Sequence, residues 1–366
     1  MTTTHQNKIE LNSQWKKTIL LTGGCGFIGS NLCRYLVNKY TNYLIINFDA
    51  LTYAGNLNNL LDIKDKENYH FYKGNITDKT ALENVFETFG VTDVLHLAAE
   101  SHVDRSMTNP NIFIETNIIG SVTLFDVAKK FWDKNIEKHT FLNMATDEIF
   151  GSLNLNDEPF NETTPLNPHS PYSTSKTAQA MFAKTYYEAY NLPIINLACG
   201  NAIGPYQFPE KLVPLVIHKL INNEKIPVYG NGLNMRDWTN VYDICTAIDL
   251  LLHKGKHGEL YCIGGDACVS NIEIINNLIN EYSKQTGANI NKLNDLITYI
   301  KDPRGKSHDF RYDINHNKIT KELNWIPKYT FQMSIQETLM WYLNNQKWMN
   351  DCITGDYLKW IFEYYK

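Results

Sequence analysis

The sequence lacks a long hydrophobic run, since no apolar stretch approaches the roughly 18 residues that a membrane-spanning helix needs. Residues 1–15 are polar and lack the apolar core of a secretion signal. An excess of basic residues is missing too, because 34 Lys and Arg face 39 Asp and Glu, for a formal net charge of −5. These absences argue against a membrane protein and a nucleic-acid-binding protein, and they predict a cytoplasmic globular chain.

The cysteines lack any spacing typical of a metal site or a disulfide framework. Seven of them, from Cys25 to Cys352, are scattered along the chain without a C-x-x-C pair. We therefore expect reduced, buried thiols and no metal. Internal repeats and low-complexity tracts are also absent, and 366 residues suffice for a large core and a second, smaller lobe.

A glycine-rich turn follows the first apolar run. The run Thr18–Leu21 predicts a strand, and after the turn apolar residues recur at helical spacing. A strand, a glycine turn and a helix in this order are typical of dinucleotide binding. Gly23 would permit the tight turn, Gly26 the approach of a pyrophosphate to the helix N-terminus, and Gly29 close helix–strand packing. A simple turn is the alternative.

The next apolar run ends in an acidic residue. Leu44–Asp49 predicts a second strand, and Asp49 follows Gly29 by 20 residues. A carboxylate at this place can accept hydrogen bonds from the adenosine ribose and would repel a 2′-phosphate, which favours NAD over NADP. Alternatively, Asp49 caps the loop that follows.

Predicted strands and helices alternate up to about residue 200. The strands are expected at Phe71–Lys73, Asp93–Leu97, 139–144 and Leu192–Leu197, and the helices at Lys79–Phe89, along an apolar stripe of Ile114, Ile118, Val122, Phe125 and Ala128, and around Tyr172 and Lys176. This alternation predicts an α/β fold of the Rossmann type, a doubly wound parallel sheet that binds ligands at the carboxyl ends of its strands.

Beyond residue 200 the pattern becomes irregular, with turns rich in proline and glycine. This change predicts a smaller C-terminal substrate-binding lobe. We expect an N-terminal extension at residues 1–16, an NAD-binding domain at 17–200 to which some later segments return, and a mainly substrate-binding lobe at 201–366.

Polar side chains able to move protons follow the fifth predicted strand. Thr146, Asp147 and Glu148 are consecutive, and Tyr172 and Lys176 share one helix face at i and i+4. A phenol has a pKa of about 10, so we expect a nearby ammonium and a nicotinamide cation to lower it for base chemistry. The same Lys could hold the nicotinamide ribose.

The two acids can share one substrate only if the chain leaves strand geometry near Thr146, because neighbouring strand residues point to opposite faces. Adjacent carboxyl groups in different environments can divide acid and base work. With the glycine turn, the pattern predicts hydride transfer coupled to elimination of water. The plain alternatives are a core tyrosine with a solvated lysine, and an acidic loop or helix cap.

Eight motifs extend this pattern along nearly the whole chain, from about residue 17 to 345. They are Thr22–Ser30, Asp49 with Leu51–Asn56, Ala98–Ser106, Phe113–Asn117, Thr146–Glu148, Ser170–Lys176, Gly204–Leu212 and Arg236–Trp238. Together they closely resemble the nucleotide-sugar 4,6-dehydratases of the dTDP-glucose 4,6-dehydratase type, which are extended short-chain dehydrogenase/reductases. Thr-Asp-Glu ahead of Tyr-x-x-x-Lys is the most specific part, because the related sugar 4-epimerases lack the acidic pair.

The resemblance implies a lyase that removes water from dTDP-glucose or UDP-glucose and gives the 4-keto-6-deoxy sugar. Tyr172 would take the 4-hydroxyl proton while C4 passes hydride to NAD, and Thr146 would bind O4. Glu148 would take the C5 proton, protonated Asp147 would protonate the departing 6-hydroxyl, and the hydride would return to C6. A nucleotide-sugar 4-epimerase and a non-enzymatic dinucleotide sensor are the alternatives.

The resemblance also implies which residues bind each ligand. The cofactor-binding residues would be Gly23, Gly26, Phe27, Ile28, Gly29, Asp49, Leu51, Thr52, Asn75, Ile76, Ala98, Ala99, Thr116, Tyr172 and Lys176. The residues around the nucleotide sugar would be Ser101, Thr146, Asn201, Lys211, Leu212, Pro227, Val228, Tyr229, Arg236, Asn271 and Arg304. Cations suit the diphosphate, which carries about two negative charges. A homodimer through the helices near residues 111–132 and 172–190 is implied as well.

Some positions depart from the residues usual in this family. They are Ala50, Asn75, Ala145, Phe150, Ala202, Cys262 and the stretch 302–309, where the order of residues is changed and the segment lengthened. Ala50 and Asn75 remove no chemical role, whereas Ala202 lacks an amide expected near the nicotinamide. The last of these changes fall near the expected nucleotide site, so thymine and uracil both stay open as the base.

Overall fold

Seven parallel strands form the central sheet of the computed structural model, which describes residues 14–353. In spatial order the sheet reads β10-β6-β5-β4-β1-β2-β3. Its strands are β1 (Lys17–Thr22), β2 (Tyr43–Asp49), β3 (Tyr69–Lys73), β4 (Asp93–His96), β5 (Thr140–Met144), β6 (Ile194–Cys199) and β10 (Leu260–Ile263). Strand β1 pairs with β2 on one side and with β4 on the other. The strand order reverses there, and open α/β sheets bind ligands at such a point.

Helices cover both faces of this sheet, and alternate side chains of β1 enter different cores. Ile19 and Leu21 pack with the helices Phe27–Lys39 and Val241–Lys254, whereas Leu20 packs on the opposite face with three other helices. A strand buried on both faces requires a continuous apolar run, which the sequence supplies. The predicted doubly wound parallel fold is confirmed.

The helices that follow these strands complete the element order. The α-helices are α1 (Phe27–Lys39), α2 (Lys79–Phe89), α3 (Val103–Thr108), α4 (Pro110–Phe113), α5 (Ser121–Trp132), α6 (Pro171–Tyr190), α7 (Leu212–Ile221), α8 (Val241–Lys254), α9 (Asn271–Thr286), α10 (Ile290–Asn294), α11 (Asn317–Leu323), α12 (Phe331–Asn344) and α13 (Gln346–Cys352). Short 3₁₀ turns lie at Leu57–Leu60, Ile136–Lys138, Asp147–Phe150 and Gly305–Ser307, and a π-helix at Ile114–Gly120.

Smaller sheets follow in the second half of the chain. Their strands are β7 (Asn201–Ile203), β8 (Ile226–Tyr229), β9 (Met235–Asn240), β11 (Cys268–Ser270), β12 (Ile297–Ile300) and β13 (Arg311–Tyr312). Strand β9 pairs with β7, β11 and β13, while β8 pairs with β12. Side chains from α7, α9 and α12 form a separate core with this part. The proposed boundary near residue 200 stays a prediction, and residues 1–13 of the predicted extension lie outside the described residues.

The apolar stripe predicted from Ile114 to Ala128 was partly wrong. Phe125 and Ala128 are buried as expected, but the side chain of Ile114 is 46% exposed and Phe113 is buried instead. The reason is the π-helix Ile114–Gly120, whose wider turns shift the phase of the helix by about one residue.

Three predictions concern the state of the cysteines, metal sites and membrane spans. All seven cysteines are free thiols; six of them are buried, as expected, and Cys268 is only partly buried. From residue 14 to residue 353, no cluster of His, Cys, Asp and Glu could hold a metal ion. Over the same range, no helix has both the length and the apolar character of a membrane span.

Candidate active site

One cavity of about 460 Å³ lies at the carboxyl ends of the central strands. Gly23 after β1, Asp49 at the end of β2, Ala98 after β4 and Thr146 after β5 all line it. The later half of the chain supplies further lining residues, including Arg236. The structure thus brings together every residue predicted for chemistry, cofactor and substrate, with Leu51 as the single exception. Their individual roles in binding stay predictions.

The glycine turn has the shape that a bound dinucleotide requires. Gly23 has a φ of +74°, and a Cβ there would lie 2.7 Å from the Ala98 nitrogen. A Cβ on Gly29 would lie 2.1 Å from the Gly23 carbonyl oxygen. Gly26 is the N-cap of helix α1 and contributes no capping side chain, so the first N–H groups of the helix are left for an anion. These residues fit a pyrophosphate.

Asp49 has a structural contact beside its predicted ligand role. Its carboxylate accepts hydrogen bonds from the backbone N–H of Cys25 at 2.9 Å and of Leu51 at 2.8 Å. The loop-capping alternative is therefore present in the structure, and it does not exclude ribose binding, because Asp49 also lines the cavity. The Leu51 side chain packs against the apolar core and does not line the cavity, so its contact with the cofactor stays a prediction.

The acidic pair lies where the chain leaves strand geometry. Strand β5 ends at Met144, and Asp147–Phe150 form a 3₁₀ turn whose N-cap is Thr146. The Thr146 hydroxyl accepts a hydrogen bond from the Glu148 N–H at 3.4 Å. This turn lets both carboxyl groups line the same cavity, which a continued strand could not do.

The environments of the two carboxyl groups differ. Asp147 is 1% exposed, and its pKa is raised well above the ordinary value by burial and by the charge of Glu148. Burial also raises the pKa of Glu148, but Arg304, Arg236 and Lys211 oppose that rise. Asp147 is therefore the better proton donor and Glu148 the better base, which is the division of labour that such a pair allows.

Tyr172 and Lys176 lie in the first turns of helix α6. Ser170 and Ser173 form a reciprocal capping box there, and Pro171 occupies the first helical position. Both Tyr172 and Lys176 are buried side chains that line the cavity. The cap thus fixes where the helix starts and places both functional groups at the end of the sheet.

The expected lowering of the Tyr172 pKa by Lys176 was wrong for this structure. Burial and the charge of Glu148 raise the pKa of Tyr172 well above its ordinary value, while the Thr146 hydroxyl opposes them. The Lys176 ammonium donates instead to the Met144 carbonyl at 2.6 Å and to Gln179 Oε1 at 2.5 Å. Burial lowers the pKa of Lys176 itself to about 7.

Three cations also line the cavity. Lys211 donates to the Ser101 carbonyl at 2.8 Å, and Arg304 donates to Asp104 at 2.5 Å. Arg236 is 5% exposed and donates to the Asp309 carbonyl at 3.0 Å. Held cations of this kind suit a diphosphate, because little side-chain freedom is lost on binding.

Several cavity residues escaped the sequence reasoning. They are Glu100, His102, Asp104, Gln207, Glu210, His308 and Tyr312. Glu210 is buried, accepts a hydrogen bond from the Tyr53 hydroxyl at 2.9 Å and lies 3.4 Å from Arg105. Loop residues have no periodicity that would reveal them. The available signal was membership in the motifs Ala98–Ser106 and Gly204–Leu212, within which five of these seven residues lie.

The sequence model of the family described as GDP-mannose 4,6 dehydratase matches residues 20–338. The chain belongs to this family. The dTDP-glucose 4,6-dehydratase of Neisseria meningitidis serogroup B is 39% identical over 348 residues, which cover 93% of this chain and 97% of that relative.

Solved structures of this dehydratase family have the same fold. The crystal structure of a dTDP-glucose 4,6-dehydratase from Bacillus anthracis in complex with NAD matches with a TM-score of 0.82 and 43% identity, over 92% of this chain and 99% of that chain. A dTDP-glucose 4,6-dehydratase from Streptomyces venezuelae with NAD and TYD bound matches with a TM-score of 0.84 and 35% identity, over 92% and 99% of the two chains.

Proposed function

We propose that this chain is an NAD-dependent hydro-lyase that converts dTDP-glucose into the 4-keto-6-deoxy sugar nucleotide. The observation that carries the proposal is the convergence of Thr146, Asp147, Glu148 and Tyr172 on one cavity whose other end has a glycine cradle shaped for a dinucleotide. An epimerase would have no use for a buried acid beside a second carboxylate.

The cofactor would lie across the ends of β1 and β2. Gly23 and Gly29 permit the tight turn and its close packing, and Gly26 leaves the first N–H groups of α1 uncovered for the pyrophosphate. Asp49 and Lys176 line the same cavity, and we expect them to bind the adenosine ribose and the nicotinamide ribose. Bound NAD supplies the capacity to accept a hydride from C4 and to return one at C6. The side chains of the cavity supply binding, orientation and proton transfer.

Proton transfer begins at the sugar 4-hydroxyl. Tyr172 is a protonated phenol in the structure, because burial and Glu148 raise its pKa. It becomes a base only when added positive charge lowers that pKa, so base catalysis is coupled to a filled cofactor site. Thr146 can hydrogen-bond O4 and hold it toward Tyr172.

Elimination of water needs a base and an acid on the same substrate. A keto group at C4 makes the C5 proton acidic, and Glu148 is the carboxylate that removes it. Burial keeps Asp147 protonated, so it can protonate the 6-hydroxyl as that group departs. Lys211, Arg236 and Arg304 would hold the diphosphate.

Thymine is our choice of base because the similar proteins above are named for dTDP-glucose, and UDP-glucose is the competing substrate. Initial rates with both sugar nucleotides, followed as the alkali-developed absorbance of the 4-keto product, decide between them. Mass spectrometry of the product tests the reaction itself. A product one water lighter supports dehydration, whereas a product of unchanged mass would mean epimerisation.

We also propose a cytoplasmic homodimer formed by the π-helix and helices α4 and α6. Exposed apolar side chains cluster on these elements: Ile112, Ile114, Ile119, Met181 and Phe182 are between 39% and 55% exposed. Burying them against a second copy would remove this apolar surface from water. Light scattering should give the mass of two chains, and a monomer mass would refute this assembly.

A further inference from the structure

A chain of buried side-chain amides runs from Lys176 across the neighbouring strands β5 and β6. Lys176 Nζ donates to Gln179 Oε1 at 2.5 Å, and Gln179 Nε2 donates to Asn143 Oδ1 at 2.7 Å. Asn143 Nδ2 donates to Asn196 Oδ1 at 2.7 Å, and Asn196 Nδ2 donates to the Ala180 carbonyl at 3.2 Å. Each of the four residues that contribute a side chain is at most 7% exposed, so water does not compete for these hydrogen bonds.

The direction of this chain is fixed at its far end. The Ala180 carbonyl can only accept, so Asn196 must turn its NH₂ group toward it and its oxygen toward Asn143. Asn143 must therefore donate to Asn196 and accept from Gln179, and the Gln179 oxygen then faces Lys176. Reversing one amide would leave buried donors facing donors. Three aligned amide dipoles therefore present their negative ends to the lysine.

The other groups around Lys176 do not supply a negative charge. Cys199 on β6 is a neutral thiol, because burial raises its pKa far above neutrality. His96 on β4 is neutral as well, since burial lowers its pKa to about 3. Tyr172 on the same helix is a protonated phenol. Two of the three ammonium donors are used by Gln179 and the Met144 carbonyl, and the third is left for the cavity.

We propose that Gln179, oriented by Asn143 and Asn196, is a positioning residue that keeps the Lys176 amine charged and directs its third N–H toward the cofactor. This inference rests on the proposed function, since it needs NAD in the cavity. It assigns a purpose to a buried polar chain that the reaction steps themselves do not use. Replacing buried polar partners by apolar side chains of the same shape is often neutral or stabilising, so the fold alone does not require this chain.

The test is the pH dependence of NAD binding, measured as the dissociation constant by equilibrium dialysis from pH 6 to pH 9. Gln179→Met removes the acceptor at similar size, and a bond to a charged group is worth about tenfold or more in affinity for the charged form. We expect the alkaline loss of affinity to begin at lower pH, with about a tenfold weaker affinity at pH 8 and little change at pH 6. Gln179→Glu supplies a negative charge and should move the loss to higher pH.

Two further variants separate positioning from simple structural damage. Asn143→Leu interrupts the chain one step away and should shift the pH profile in the same direction as Gln179→Met. Asn68→Leu is the matched control, because Asn68 is a buried amide that bonds only the Val37 and Tyr40 carbonyls, far from Lys176. It should leave the profile unshifted.

The proposal is overturned if the Met and Glu variants weaken binding equally at all pH values, or if neither shifts the profile. Should Gln179→Met not fold, the opposite shifts of Gln179→Glu and Asn143→Leu decide the matter. Binding of NAD does not require dehydration. A shifted profile without product from dTDP-glucose would therefore refute the proposed function alone.

Discussion

The guanidinium of Arg304 lies 2.5 Å from the carboxylate of Asp104, although 200 positions separate these residues in the chain. The second carboxylate oxygen of Asp104 accepts a hydrogen bond from the Tyr229 hydroxyl at 3.3 Å. Asp104 is 2% exposed and belongs to the loop and helix after β4, whereas its two partners come from the later half of the chain. One buried acid thus holds two predicted nucleotide-binding residues in place.

Replacing this acid should weaken substrate binding more than catalysis. Asp104→Asn keeps the shape but removes the charge that orients Arg304, so we expect the KM for dTDP-glucose to rise about tenfold with kcat changed much less. Steady-state kinetics measure both. Asp65→Asn is the control, because Asp65 is exposed and forms a long ion pair, at 4.0 Å, with the exposed Lys64. An unchanged KM in Asp104→Asn would show that Arg304 needs no such partner.

The Tyr172 hydroxyl should be required for the first step. Tyr172→Phe preserves the ring contact with Phe113 but removes the group that takes the 4-hydroxyl proton. We expect a loss of at least a hundredfold in the rate at which the reduced-nicotinamide absorbance develops after mixing with substrate. Tyr190→Phe changes an exposed tyrosine of the same helix and should behave as the unaltered protein. Normal absorbance growth in Tyr172→Phe would exclude it as the base.

Glu148 should be required for hydrogen exchange at C5 of the sugar but not for NAD binding. Glu148→Gln should abolish incorporation of solvent deuterium at C5 of the product, because an amide cannot take that proton, while NAD affinity stays within twofold. Proton NMR of the sugar measures the exchange. Glu158→Gln, an exposed glutamate, is the matched control. Undiminished exchange would remove Glu148 from the mechanism.

Because of Asp147, the free energy of unfolding should fall as the pH rises. Its folded-state pKa lies well above the unfolded value of about 3.9, so the folded chain binds the extra proton between these two values. The protonated Asp147 side chain therefore contributes fully to stability at low pH, and this contribution is lost as the pH rises through that window. Asn stays neutral, so Asp147→Asn should gain stability over the unaltered protein from pH 5 to pH 8 and lose dehydration. Urea midpoints at each pH measure this, and a constant difference would contradict it.

The sequence predicted the central fold well because apolar runs and glycines have local causes. Helix Lys79–Phe89 was predicted with the bounds that the structure gives it. The π-helix at Ile114–Gly120 could not be foreseen, because no residue type marks a turn with one residue more. The prediction was therefore wrong for Ile114, whose side chain faces outward.

The candidate site was predicted less completely than the fold. The turn at Thr146 followed from the requirement that two neighbouring acids face one cavity. The pKa of Tyr172 did not follow, because spacing at i and i+4 says which face Lys176 shares and not what its ammonium bonds. Asp104 and Glu210 depend on contacts between distant loops, which a single sequence does not reveal.

The central claim is that the hydrogen removed from C4 of a hexose returns to C6 after water leaves C5 and C6. The most direct test is conversion of dTDP-glucose that carries deuterium at C4, followed by mass spectrometry and NMR of the product. The account predicts a product one water lighter with deuterium at C6. A product of unchanged mass, with deuterium again at C4, would contradict it.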